Sequence, residues 1–145
     1  KGVDVVLQGL WKFGNDWVFD SRLSYTYQKA QDFTDKSDKD TYGGQISYIP
    51  WHSGSAILNA GYKSWELNYS FIYTGERYDV SANTPENYRL PWYTSDFSLA
   101  KKFSWRKYDF KLTLEVNNIF NQQYEVVRSY PMPGTNFKFI LNLTI

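Results

Sequence analysis

The stretch YDFKLTLEVN, residues 108–117, sorts its side chains by parity. Tyr108, Phe110, Leu112, Leu114 and Val116 are apolar or aromatic, while Asp109, Lys111, Thr113, Glu115 and Asn117 are polar or charged. A period of two predicts a β-strand with one greasy and one wet face. The same alternation runs through WVFDSRLSYTYQ (17–28), WELNYSFIYT (65–74) and the closing NFKFILNLTI (136–145). Weaker versions, with an apolar residue or two on the wet side, occupy 3–13, 55–62 and 92–103. Seven strands are expected.

The connections carry a second pattern. Short ones fall at 14–16, 63–64 and 104–106, and long ones at 30–54, 75–91 and 119–134. In an antiparallel meander alternate turns lie at opposite ends, so the short turns gather at one end and the long loops at the other. That is the layout of a transmembrane β-barrel. Several strands also reach the ~9–11 residues that a tilted strand needs to cross a bilayer.

Composition agrees. One residue in five is aromatic, 20% in all, yet the mean hydropathy of −0.56 is that of a polar chain. Strands with a single greasy face reconcile the two. No stretch approaches the ~20 apolar residues of a membrane helix. A net charge of +1 with both signs scattered offers no basic stripe for nucleic acid. The absence of Cys removes disulfides, thiol nucleophiles and cysteine metal sites. The opening KGVDVV has no initiator Met and no signal-like segment, and a piece of something longer is expected.

Aromatics collect where membrane interfaces would fall: Trp11, Trp17, Tyr62, Trp65, Phe103 and Tyr108 near the short turns, and Tyr25, Tyr27, Tyr73, Trp92 and Tyr93 near the long loops. Two interfacial girdles fit this placement. Aromatic preference for strands of any kind is the alternative to that reading. Seven strands would leave two edges unpaired, which lipid does not tolerate. Counting YGGQISYI (42–49) as an eighth strand is one escape, but it breaks the alternation of short and long connections. The last sector of a larger barrel is the other.

Six segments in order resemble the TonB-dependent outer-membrane receptors, in the C-terminal third of their 22-stranded barrel. They are GVDVVLQGL, LSYTYQKAQ, IPWHSGSAILNAGY, YTGERY, EVNNIFNQQYE and YPMPGTNFKFILNLTI. The first resembles the family's "GVE" strand, the fourth its Y-x-G-x-R-Y segment, and the fifth its V-x-N-L-F-x-x-x-Y. Two departures stand out. Such receptors commonly end in Phe, which the barrel assembly machinery reads, where this chain has Ile145. Their P-G-R is Pro133-Gly134-Thr135 here.

The resemblance implies an all-β, up-and-down meander in the bacterial outer membrane, with the plug, the TonB box and the other barrel strands outside these residues. It implies import of a scarce nutrient (a siderophore, cobalamin, haem or glycan) driven by the TonB complex. By this alignment residues 117–120 end the penultimate strand at the cell surface, 121–134 are the last outer loop and 135–145 descend to the periplasm. The style of YEVVRSYPMPG leans toward a siderophore or cobalamin type.

Asp20, Arg22, Glu66, Asn68, Asp109, Lys111 and Glu115 are expected on the lumen face, as plug contacts, ligand path or ordinary polar lining. The loop residues Trp51, His52, Arg77, Tyr78, Arg128 and Tyr130 are the ligand candidates, because aromatic and cationic groups grip rings or anionic chelates. Packing of loop against loop is the alternative for them. His52, the one His, cannot form a metal site alone, and no cofactor is expected. Nothing has the spacing of an enzyme site, and Asp38 and Asp40 in TDKSDKD read as a solvated loop. A passive eight-stranded porin and a soluble, carbohydrate-binding β-sandwich are the competing architectures.

Overall fold

The computed structural model describes residues 1–144; the expected role of Ile145 lies outside them. The first four strands are β1 (Gly2–Phe13), β2 (Trp17–Gln28), β3 (His52–Tyr62) and β4 (Trp65–Thr74). A two-residue pair follows inside a loop, β5 (Arg77–Tyr78) with β6 (Tyr88–Arg89), then β7 (Trp92–Trp105) and β8 (Tyr108–Asn117). A second small pair, β9 (Glu125–Val127) with β10 (Tyr130–Pro131), precedes β11 (Asn136–Thr144). The seven long strands make one sheet in the order β1-β2-β3-β4-β7-β8-β11. Every neighbouring pair is antiparallel. This is the expected meander, and the barrel does not close within the described residues.

The turns sort by end as the sequence implies. Short connections use left-handed backbone at Gly14 (φ 60°), Lys63 (φ 53°) and Arg106 (φ 57°). The third lies one to two residues later than expected, because Trp105 still pairs with Tyr108 across β7 and β8. The long loops span 29–51, 75–91 and 118–135. The first ends earlier than expected, since β3 begins at His52 and takes in Ser53 and Gly54. β8 stops at Asn117, not at residue 120, because Asn118 turns the chain with φ 50°. The candidate strand 42–49 is not in the sheet; it contributes one isolated bridge, Gln45 to Gln31.

Register fixes two faces. Directly opposed residues share a face, so one row runs Asp20, Asn59, Asn68, Ser98, Glu115, Lys138 across six strands. The row beside it on the opposite face runs Phe19, Ala60, Leu67, Leu99, Leu114, Phe139. The wet face is concave: an open hollow of about 760 Å³ lies against it between β2 and β11, with Asp20, Asn59, Asn68, Ser98, Lys111 and Glu115 among its lining residues.

Among the described residues nothing covers the greasy face. Ala100 is the single fully buried apolar residue among those described, whereas Leu7, Phe137 and Phe139 are 62%, 76% and 66% exposed. A β-sandwich would cover such a face with a second sheet, and there is none among the described residues. The sandwich reading is therefore set aside.

At the short-turn end the expected aromatics all lie on the greasy face, where Trp17 packs on Tyr62 at 4.3 Å and Phe103 stacks on Phe110 at 5.1 Å. Trp92 is a correction. Its register with Thr74 puts it on the wet face, where it stacks on Tyr124 at 4.5 Å.

The asymmetry of the faces is testable. Leu58 lies in the middle row of the greasy face, opposite Ser21 and Tyr69. Leu58→Arg is expected to cost about 2–4 kcal/mol in a bilayer, whereas Ser98→Arg on the wet face costs little. Denaturant unfolding of the protein refolded in lipid vesicles reads the difference.

Candidate functional site

Two regions collect the chemistry: the concave wet face and the cluster of long loops. The wet face is a hydrogen-bonded network. Asn59 Nδ2 donates to Asp20 Oδ1 at 2.9 Å, and Asn68 Nδ2 donates to Asn59 Oδ1, tying three strands in one row. One row nearer the short turns, Glu66 receives Lys111 Nζ at 2.6 Å and pairs with Lys102. Lys102 and Lys111 oppose each other directly, a repulsive placement that the shared carboxylate offsets. Asp109 accepts from Ser104 Oγ at 2.6 Å, and Glu115 lies 3.8 Å from Lys138. Arg22 is exposed between Gln8 and Ile57. All seven residues expected on this face share it.

The six loop residues are more dispersed. Trp51 and His52 stand at the foot of the first loop, where Lys29 Nζ lies 5.1 Å from the Trp51 ring centroid. His52 Nδ1 and the Tyr25 hydroxyl are 2.7 Å apart, with the Tyr27 ring at 5.1 Å. Gly75 donates its N–H to His52 O at 2.8 Å, and a Cβ there would come within 2.6 Å of that oxygen. Only glycine allows this backbone approach.

Arg77, Tyr78 and Arg128 are brought together. Arg77 is buried, and Nη2 donates to Glu125 O at 2.8 Å and Val126 O at 3.3 Å, joining the second loop to the third. Burial lowers its pKa from the ordinary guanidinium value, with Tyr48 opposing and Arg89 reinforcing the shift. The Tyr78 carbonyl accepts from Tyr48 N–H at 2.7 Å, and Arg128 N–H donates to the Tyr48 hydroxyl at 3.4 Å. All three loops thus meet at Tyr48. Tyr130 is 71% exposed.

Sequence reasoning passed over the groups that organise this cluster. Buried Asp79 accepts from Arg89 Nε at 2.8 Å and lies 3.6 Å from Arg128 Nη1. Buried Gln45 donates to Ile49 O at 2.6 Å and exchanges hydrogen bonds with Asn83. Asn118 is the hub of the third loop: its Nδ2 donates to Gln122 O and Pro133 O, and its Oδ1 accepts Gln122 N–H. Its N–H meets Asp96 Oδ1 at 2.7 Å. The V-x-N-L-F-x-x-x-Y resemblance covered Asn118 and Tyr124 without assigning either a role. Burial raises the Tyr124 phenol's pKa, and the Asp96 carboxylate adds to it. Between the second and third loops lies a cleft of about 520 Å³, lined by Tyr88, Arg89, Trp92, Gln122 and Tyr124 among others.

A one-sided antiparallel meander, greasy outside, wet and concave inside, with long loops at one end, defines a sector of transmembrane β-barrel wall. Residues 1–119 match the family model described as TonB dependent receptor-like, beta-barrel, and the chain belongs to that family. Its members are outer-membrane receptors and transporters, not enzymes. No curated protein matches the sequence significantly. The third loop from residue 120 and β11 lie beyond the matched stretch, and their place rests on the pairing of β11 with β8.

The Arg77 clamp gives a local prediction. Arg77→Ala removes charge-assisted bonds worth roughly 1.5–3 kcal/mol, so amide exchange across 125–127 is expected to quicken about tenfold or more. Tyr130→Ala, at an exposed position, should leave it unchanged.

Proposed function

We propose that the chain is the C-terminal sector of a larger outer-membrane barrel, and that the complete receptor imports a scarce nutrient with energy from the TonB complex. The observation that carries this reading is the one-sided sheet of a TonB-dependent receptor family member whose outer strands β1 and β11 each pair on one side only. Further strands from the same polypeptide, and a plug within the lumen, complete the object in this reading. Asp20, Arg22, Glu66, Asn68, Asp109, Lys111 and Glu115 face that plug or the ligand's path.

The long loops face the exterior and supply ligand contacts. Arg128 and Tyr130 offer a cation and an exposed ring, and the cleft at Arg89, Trp92 and Tyr124 offers the same combination. Such groups suit a planar or anionic ligand, in keeping with an iron-siderophore or cobalamin. Trp51, His52, Arg77 and Tyr78 hold the loops in place around it. Barrel assembly machinery and outer-membrane lipid are the remaining partners.

An antibody to residues 75–91 tests the reading. It is expected to detect, in the outer-membrane fraction, a native polypeptide several times the 17.1 kDa of this chain. A soluble product near 17.1 kDa would contradict it.

A further inference from the structure

One ionised side chain interrupts the greasy face. Its positions on the seven strands are otherwise aliphatic, aromatic, glycine, serine or His52, and Lys101 is the exception among the described residues. Lys101 shares its row with Trp17, Tyr62 and Trp65 in the short-turn girdle, with Leu112 and Leu141 on its other side. A cation facing lipid is costly at the bilayer midplane and tolerated near the interface. The row fits that depth.

Local structure makes a notch around it. Strands β7 and β8 continue beyond the β3–β4 turn, whose Ser64 carbonyl accepts the Lys102 N–H at 2.8 Å. Lys101 Nζ donates to Ser64 Oγ at 2.7 Å and lies 4.4 Å from the Trp65 ring centroid. The ammonium has three protons, so two remain after Ser64 takes one. The Ser64 hydroxyl proton is also available to an acceptor. Beside the notch, the hairpin carrying Phe103 and Trp105 projects as an apolar wall.

Cations outnumber acids at the turns of this rim. Lys63 lies over Tyr62, Arg106 over Trp105 and Lys107 over Tyr108, at 5.1, 5.1 and 5.3 Å. Asp16 is the acid beside them, 3.8 Å from Lys63.

We propose that Lys101 and Ser64, on a rim where Lys63, Arg106 and Lys107 add positive charge farther along the turns, form a headgroup site for an anionic phospholipid of the leaflet bordering the short turns. The phosphate would accept from Lys101 Nζ and the Ser64 hydroxyl, while the acyl chains lie along Leu112 and Leu141. Free phosphate offers the same acceptors without that apolar contact. The site rests on the greasy face meeting lipid.

The test uses the complete receptor extracted from outer membranes, with native mass spectrometry in nonionic detergent reading lipid adducts. Phosphatidylglycerol is expected to bind in preference to phosphatidylcholine, and equimolar inorganic phosphate should not displace it. Lys101→Met should weaken phosphatidylglycerol about fivefold, the effect of one cation at an anionic lipid surface, with a smaller loss in Ser64→Ala. Equal retention of phosphatidylglycerol by Lys101→Met and wild type would overturn the site, as would equal affinity for the two lipids or full displacement by phosphate. If Lys101→Met does not assemble, Ser64→Ala decides. A receptor absent from the outer membrane defeats the membrane reading itself; a folded, membrane-extracted receptor without lipid preference defeats the site alone.

Discussion

The backbone hydrogen-bond ladder between neighbouring strands is the constraint on which the rest depends. In hydrocarbon no water is present to satisfy an N–H or C=O, so a spanning sheet must pair them all within itself. The six antiparallel pairings do this for the interior strands. Once the ladder is set, register alone decides which side chain meets which medium, because a slip of one residue would exchange the two faces. The polar row from Asp20 to Lys138 and the apolar row from Phe19 to Phe139 are adjacent consequences of one alignment.

That constraint explains why the molecule has almost no interior in the usual sense. A soluble domain stabilises itself by burying apolar area against its own chain; among the described residues one buried apolar residue, Ala100, stands beside a long series of exposed Leu, Val, Phe and Trp. The buried side chains worth noting are polar, and several of them, Gln45, Arg77, Asp79 and Asn118, lie in the loops. They are held by hydrogen bonds because the loops cannot use the lipid-facing logic of the strands. Order in the loops therefore comes from cross-loop donors and acceptors, such as Arg77 with the carbonyls of Glu125 and Val126.

The strands were legible in the sequence, and the loop cluster was not, for a physical reason. Period two is a local signal, so residues 108–117 declare their faces without reference to the rest of the chain. The position of Arg77 depends on residues 48 and 49 positions away along the chain, and no local pattern announces such a partner. Trp92 was misplaced because it begins β7 on the wet face, next to Tyr93 on the greasy one, and composition near a loop does not distinguish the two. Lys101 was readable by parity, since Phe97, Leu99 and Phe103 share its face. Its neighbour Lys102 is bound to Glu66 on the other face.

The central claim is that one face of this sheet meets lipid and the other meets water. The 145 residues contain no Cys, so single cysteines placed along 108–117 report only their own positions once any cysteine elsewhere in the receptor is replaced. Spin labels attached at these sites in the membrane-embedded receptor should alternate with period two. Residues 110, 112, 114 and 116 are expected to be accessible to oxygen and closed to a water-soluble nickel chelate, and 109, 111, 113 and 115 the reverse. Uniform accessibility to the nickel chelate, or oxygen accessibility on the opposite parity, would contradict the account.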